Sequence, residues 1–189
     1  MTGRSRAGWP RGRAALTAAA TAALVSGCGL IGGTTASVSD VPLRMTVTSQ
    51  SFSLTEPMPA RFTCHGAGLS PSIHWSGAPA GTKSLALIVD DSSAPITPFI
   101  YWIVFDIGSQ TSATLVGQVP TGAKQADNSK GTPRYDPPCP VNGDHAYRFT
   151  VYALSRSLPL RNGVSLKTAW TAIAQAAIAR GELTATAKS

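Results

Sequence analysis

Two stretches of the sequence bring acidic, imidazole and phenol groups to the ends of apolar segments. The apolar run 85–89 is followed by two acids, the second of which is Asp91, and the loop 135–144 is followed by His145 and Tyr147. A carboxylate accepts hydrogen bonds, whereas a histidine donates and accepts them and changes charge near neutral pH. Together these side chains could bind a small polar ligand, or support hydrolysis if a serine lay beside them.

The loop before His145 is stiffened by Pro137, Pro138 and Pro140. Proline fixes φ near −65° and has no N–H, so this segment cannot pair as a central strand and its shape is largely preset. Preset loops on sheets commonly carry functional residues. We therefore expect the loop to position His145 at a site.

Short apolar stretches separated by glycine and proline predict a sandwich-like, mainly β domain. The predicted strands are 43–49, 73–75, 84–90, 100–107 and 146–154, and the polar stretch 108–128 is predicted to be a loop. The runs 85–89 and 100–107 are almost continuously apolar. We therefore expect both faces of those strands to be covered and the strands to lie in the centre of the sheet.

One segment, residues 166–180, predicts an amphipathic helix. It follows Ser165, ends before Gly181, and places Trp170 and Ile173 on one stripe. A serine before the first turn and a glycine after the last turn are typical helix boundaries. We expect the apolar stripe to pack on the sheet.

Residues 1–27 predict a lipoprotein signal peptide. Residues 1–13 include four arginines, residues 14–25 form an uncharged apolar run, and small residues precede Cys28. The apolar run is shorter than the roughly 20 residues that span a bilayer and has the length of a signal-peptide core. The segment resembles a bacterial lipobox cut before Cys28. This resemblance implies that Cys28 carries the lipid, such as palmitate, that anchors the chain to the extracytoplasmic face of the cell membrane. An ordinary secretory leader is the alternative.

The segment 28–42 predicts a flexible tether rich in glycine, serine and threonine, and one folded domain, 43–189, follows it. Outside the cytoplasm disulfides persist, and with Cys28 lipidated only Cys64 and Cys139 remain to pair with each other. Two buried free thiols are the alternative that the sequence leaves open.

The formal net charge of +7 does not indicate a nucleic-acid partner. Four of the arginines lie in the first 13 residues, and from residue 28 onward 12 Lys and Arg face 9 Asp and Glu. The remaining basic residues are scattered singly, without the stripe that follows a phosphate backbone. We therefore expect no nucleic-acid binding.

Five motifs occur in order along the chain. They are PARFTCHG at 59–66, LSPSIHWSG at 69–77, GTKSLALIVDD at 81–91, PCP at 138–140 and HAYRFTVYAL at 145–154. With them the sequence resembles the bacterial branch of the phosphatidylethanolamine-binding protein family, also called the Raf kinase inhibitor protein family. The resemblance covers nearly all of residues 45–183.

The resemblance implies a fold and a binding site. The fold would be a large antiparallel sheet packed on a smaller one, with peripheral helices that include a C-terminal helix. The site would be a small anion-binding cavity lined by Asp91, Pro138, His145 and Tyr147, with Tyr101 at the position of a family histidine. Neither a cofactor nor a metal is implied.

The sequence departs from the family pattern inside this cavity. Ser93 replaces a second acid, Tyr101 replaces the histidine, and Asp136-Pro137 replaces two glycines. A tyrosine hydroxyl donates a hydrogen bond but stays neutral, and Asp136 adds a negative charge where an anion would approach. We expect weaker phosphate binding than the family pattern implies, or a less anionic ligand.

The leading functional hypothesis is non-catalytic binding of a small polar or anionic ligand, such as phosphate or a lipid head group, at the membrane. One alternative is a module that modulates a protease or kinase, and another is a structural network of Asp91 and His145 without a ligand. Hydrolysis is disfavoured because no Gly-x-Ser-x-Gly motif occurs. Metal binding is disfavoured because His65 and His74 lack the paired spacing of zinc ligands.

Overall fold

The computed structural model describes residues 40–94 and 98–189. This part of the chain contains seven strands and one α-helix. The strands are β1 (Thr46–Thr48), β2 (His74–Ser76), β3 (Ser84–Asp91), β4 (Ile100–Gly108), β5 (Lys124–Ala126), β6 (His145–Leu154) and β7 (Ala177–Ala187). The helix α1 (Leu166–Ala176) lies between β6 and β7 in sequence, and a 3-10 turn, Ala60–Phe62, lies between β1 and β2.

The strands form two antiparallel sheets. The large sheet has the strand order β5-β4-β3-β6-β7, and the small sheet pairs β1 with β2. All eight residues of the central strand β3 are buried, as its continuous apolar run predicts. The expectation of a mainly β fold with a large and a small antiparallel sheet is confirmed.

Each face of the large sheet is covered by a different layer. On one face Leu87 and Phe149 pack with Val47 and Trp75 of the small sheet. On the other face the central strands pack against α1, with Ile173 fully buried. Successive side chains of a strand point to opposite faces, so the neighbouring acids at the end of β3 belong to different layers.

The predicted helix forms, but it is shorter than expected. The Ser165 side chain accepts a hydrogen bond from the Thr168 amide, which caps the first turn as the sequence suggests. The helix ends at Ala176, and the chain then continues as β7. The prediction of helix up to Arg180 was wrong for its last four residues, because the backbone there pairs with β6 instead.

Two strands were absent from the sequence prediction. The short strand β5 lies inside the stretch predicted to be a loop and pairs with β4. The long strand β7 forms the other edge of the sheet, where backbone amides of Thr55 and Met58 donate to its carbonyls at 2.7 Å. This pairing covers part of an edge that would otherwise expose unpaired backbone groups.

The proposed signal peptide, Cys28 and most of the tether lie outside the described residues. Within the ranges 40–94 and 98–189, no helix has the length and apolar character needed to cross a membrane.

Candidate functional site

The candidate site lies where β3 ends beside the start of β6. Asp91 and Tyr147 are direct partners in this antiparallel pair, and His145 is the first residue of β6. Asp91, His145 and Tyr147 therefore come together because the register of the two strands brings them to one end of the sheet.

Asp91 orients the imidazole of His145. The Oδ2 atom of Asp91 lies 2.6 Å from Nδ1 of His145, and Oδ1 accepts a hydrogen bond from the Ser93 amide at 2.8 Å. The carboxylate is buried, whereas the His145 side chain is 35% exposed. Because Nδ1 is engaged, the other ring nitrogen, Nε2, is the one available to a ligand.

Tyr101 and Tyr147 form an aromatic wall beside this pair. Their ring centroids are 5.2 Å apart in an edge-to-face arrangement, and Phe99 packs on Tyr101 at 4.8 Å. Burial raises the pKa of both tyrosines above the ordinary value of 10.0, so both carry a proton at neutral pH. The wall therefore offers phenol hydroxyls, which are neutral donors.

The hydroxyl of Tyr147 is buried without a partner. The residue is fully buried, and its hydroxyl makes no hydrogen bond of 3.5 Å or shorter within residues 40–94 and 98–189. The polar group beside it is the Tyr101 phenol, which, after burial, contributes to the raised pKa of Tyr147. Such a group costs about 1–3 kcal/mol relative to a satisfied one, and buried polar groups without partners are uncommon.

A disulfide fixes the proline-rich loop to an earlier part of the chain. Cys64 and Cys139 are bonded, and the Cys64 amide also donates to the Pro138 carbonyl at 3.0 Å. The alternative of two free thiols does not hold, and both cysteines lie at the exposed surface. Pro138 itself is buried, so the bridge supports a residue that was predicted to line the site.

The acid that departs from the family pattern has a counter-ion. Both carboxylate oxygens of Asp136 lie near Nζ of Lys130, at 2.8 and 3.0 Å, and the Asp136 amide donates to the Tyr101 carbonyl. Lys130 therefore offsets the negative charge that Asp136 brings to the neighbourhood of Tyr101. Lys130 was not predicted from the sequence, because it lies six positions before its partner in an irregular loop and no motif marks it.

A third phenol, that of Tyr135, lies in the same core layer and was not predicted from the sequence. The hydroxyl of Tyr135 donates to the Phe62 carbonyl at 2.9 Å, and its ring packs edge-on against Trp102. Its position as the first residue of the proline-rich loop was the available signal.

The two acids at the end of β3 have different roles. Asp90 points to the opposite face from Asp91 and accepts a two-pronged contact from Arg148, at 2.6 and 3.1 Å. Burial raises the pKa of Asp90 above its ordinary value of 3.8, although the Arg148 hydrogen bond opposes this shift. Only Asp91 contributes to the candidate site.

The remaining histidines lie apart from this arrangement. His65 is exposed in a turn, and His74 is half-buried in β2. Within the described ranges, no three His, Cys, Asp or Glu side chains are grouped in a way that could hold a metal ion.

An apolar groove beside α1 lies apart from the candidate site. It has a volume of about 430 Å³ and is lined mainly by Pro98, Ile100, Leu166 and Trp170. It lacks the converging acid, imidazole and phenol groups that identify a polar binding site.

Residues 48–188 match the model of the family described as phosphatidylethanolamine-binding protein. The chain belongs to this family. The curated relative "Putative lipoprotein LppC" of Mycobacterium tuberculosis is 40% identical over 144 residues, which cover 75% of this chain and 71% of the relative. A UPF0098 protein of Aquifex aeolicus is 46% identical over 130 residues, covering 65% and 76%.

Solved structures of family members have the same fold. YbcL of E. coli, described as a new member of the mammalian PEBP family, has a TM-score of 0.72 and 29% identity and covers 77% of this chain and 99% of its own. CT736 of Chlamydia trachomatis has a TM-score of 0.71 and 35% identity, with coverage of 77% and 97%.

Proposed function

We infer that this family member is a membrane-anchored lipoprotein whose extracytoplasmic domain binds a small polar or anionic ligand without catalysing a reaction. The ligand is of the phosphate or lipid head-group kind. It is bound by Asp91, Tyr101, Pro138, His145 and Tyr147, the residues that the family resemblance selects.

The observation that carries this proposal is the unpaired hydroxyl of Tyr147. It is buried next to an imidazole that Asp91 fixes through Nδ1, leaving Nε2 for a ligand. A ligand could accept a hydrogen bond from the Tyr147 hydroxyl and form another with Nε2 of His145. Binding would then recover the free energy lost by leaving that hydroxyl unpaired.

The nearest serines support binding rather than hydrolysis. The Ser92 hydroxyl donates to the Ala146 carbonyl at 2.9 Å, and the Ser93 hydroxyl accepts from the Ala146 amide at 2.8 Å. Among the described residues, no hydroxyl is hydrogen-bonded to His145, so the imidazole lacks the nucleophile that a catalytic triad requires.

Membrane anchoring is supported by the lipobox-like segment ending at Cys28 and by the relative whose name describes it as a lipoprotein. In the Cys28→Ser variant, we expect the protein to leave the membrane fraction and to lack the lipid mass on its N-terminal peptide. A Cys28→Ser protein that stays in the membrane with the wild-type peptide mass would refute the anchor.

The binding site is tested by titrating the protein with inorganic phosphate and with O-phosphoethanolamine, while NMR follows the backbone amide signals of the candidate site. We expect saturable shifts that disappear in His145→Ala and persist in His65→Ala, which removes an exposed histidine outside the site. Native mass spectrometry of the protein from its own host should show a small molecule that His145→Ala loses. No shift with either probe, together with an empty wild-type protein, would refute the site.

A further inference from the structure

Exposed cations cluster at the end of the large sheet that lies opposite the candidate site. Lys83 precedes β3, and its amide donates to the carbonyl of Leu154, the last residue of β6. Arg156 lies just beyond Leu154, and its carbonyl accepts from Ser84, the first residue of β3. Lys83 and Arg156 therefore lie where β3 begins and β6 ends.

Two further arginines extend this group. The Arg44 amide donates to the carbonyl of Arg180, near the start of β7, and Arg161 follows Leu160, whose carbonyl accepts from Lys124. All four side chains of the group are exposed. We call this group the basic end; it consists of Arg44, Lys83, Arg156 and Arg161.

Acids at this end are mostly neutralised by other partners. Asp106 pairs with Lys124 at 3.0 Å, and Glu182 pairs with Arg180. None of the four basic-end side chains forms an ion pair within residues 40–94 and 98–189. Apart from Asp40, which is exposed, the basic end therefore presents uncompensated positive charge.

The chain enters the domain at this same end. Asp40 is the first described residue, and the Pro42 carbonyl and the Arg44 amide both bond to Arg180 at the start of β7. Cys28 precedes Asp40 by 12 residues. Twelve residues of chain span at most about 40 Å when fully extended. Leu43, which is 59% exposed, lies beside this entry point.

We propose that the basic end docks on the surface of an anionic phospholipid bilayer, so that the candidate site faces away from the membrane and takes its ligand from solution. The proposal rests on the lipid anchor at Cys28. The tether holds the basic end near the bilayer, where each cation gains from the negative surface potential within about one Debye length, about 8–10 Å. Leu43 adds an apolar contact at the same surface.

The orientation follows from the length of the central strand. β3 begins at the basic end and reaches Asp91 after eight residues. At about 3.4 Å per residue, the seven steps from Ser84 to Asp91 span about 24 Å. A domain docked through the basic end therefore keeps His145 well beyond the reach of head groups in the anchoring bilayer.

The test is hydrogen–deuterium exchange of the full lipidated protein on vesicles of phosphatidylcholine alone or with phosphatidylglycerol. We expect the segments 77–83 and 155–162 to exchange several-fold more slowly on the anionic vesicles, and the loop 128–144 at the site end to be unchanged. Removing one of the four cations should lower the affinity of the domain for the anionic vesicles about fivefold. Salt near 1 M should abolish the protection, because it screens the attraction between the cations and the lipid charges.

A matched pair of variants separates docking from general charge. The first replaces the basic end with glutamines (R44Q, K83Q, R156Q, R161Q) and should lose the protection. The control removes four exposed cations elsewhere (R61Q, R134Q, K167Q, K188Q) and should keep it. Equal loss in both variants, no protection in the wild type, or protection of the loop 128–144 instead would overturn the proposal.

The mass of the N-terminal peptide distinguishes a failure of the docking proposal from a failure of the proposed lipid anchor. A lipidated peptide without protection of the basic end overturns only the docking surface, whereas an unlipidated peptide overturns the anchor and the docking together. The phosphate titration is done in solution and reports on the ligand site in either case.

Discussion

At the residue scale, the Tyr147 hydroxyl is the least satisfied polar group of the candidate site. It is buried and has no hydrogen-bond partner among the residues that the structure describes, whereas the nearby Tyr135 hydroxyl donates to the Phe62 carbonyl. The two phenols thus form a natural comparison, because the same substitution removes a costly group from one position and a useful hydrogen bond from the other.

We expect Tyr147→Phe to raise the free energy of unfolding of the unliganded protein by about 1 kcal/mol, because it deletes an unsatisfied donor. Tyr135→Phe should lower this free energy by about 1 kcal/mol, because it leaves the Phe62 carbonyl without its donor. Urea unfolding measures both. The same Tyr147→Phe variant should bind phosphate more weakly. If Tyr147→Phe destabilised the protein as much as Tyr135→Phe, the hydroxyl would already have a partner in the free protein.

At the element scale, the position at which α1 ends determines where the edge strand β7 begins. Gly181, which the sequence analysis took as a helix stop, lies inside β7 against the backbone of Met45. A methyl group at Gly181 would lie 2.8 Å from the Met45 carbonyl carbon, closer than packed atoms allow. The glycine is therefore required by close strand packing.

Gly181→Ala should lower the free energy of unfolding by about 1–3 kcal/mol, the usual cost of overpacking, as measured by urea or thermal unfolding. Gly108→Ala is the matched control, because a methyl group there would meet only the Thr111 hydroxyl, at an ordinary 3.5 Å. If residues 177–181 were helical in solution, Gly181→Ala would instead be neutral or stabilising, since alanine is the better helix former.

The helix boundary shows what local patterns can and cannot predict. Alanines fill both the end of α1 and the start of β7, and alanine favours a helix unless tertiary pairing overrides it. The alternation of buried residues in β7, which include Ala179, Leu183 and Ala185, has a period of two that the prediction overlooked. The strand forms because β6 offers it a full row of backbone partners.

The sequence likewise predicts some residues of the candidate site and not others. Asp91, His145 and Tyr147 follow from motifs at strand ends, and the strand register brings them together. Lys130 could not be identified in this way, because its contact with Asp136 depends on the path of an irregular loop. Sequence thus identified residues fixed by regular pairing and missed those fixed by loop geometry.

The disulfide is the other element that supports the site. It closes a segment with a sequence separation of 75, which corresponds to about 4 kcal/mol in the chain-entropy model. The double variant Cys64→Ser, Cys139→Ser should lose stability on that order in urea unfolding. It should also bind phosphate more weakly, because the Pro138 loop is then less constrained. Loss of stability with unchanged phosphate binding would show that the loop keeps its shape without the bridge.

At the scale of the whole molecule, buried tyrosines make the fold sensitive to alkaline pH. Burial is the largest cause that raises the pKa of Tyr101, Tyr135 and Tyr147, and it raises the pKa of Tyr152 to about 12. These residues lie on both faces of the large sheet, so the folded state as a whole holds its phenol protons more tightly than the unfolded chain.

The sign of the effect follows from proton linkage. Between pH 10 and pH 12 the unfolded state releases phenol protons that the folded state retains, so the free energy of unfolding falls as pH rises. The full contribution is present below pH 10. For Tyr152 alone, the difference between a pKa of 10.0 and one of about 12 corresponds to roughly 3 kcal/mol.

Urea unfolding between pH 9 and pH 12 should therefore show a progressive loss of stability above pH 10, and Tyr152→Phe should reduce its slope by up to one proton. Tyr152 packs in the layer beneath α1, away from the candidate site, so phosphate binding at neutral pH should be unchanged in this variant. An identical slope in both proteins would mean that Tyr152 ionises equally easily in the folded and unfolded states. In that case the alkaline sensitivity would have to arise from the tyrosines on the other face, where Tyr147→Phe provides the corresponding measurement.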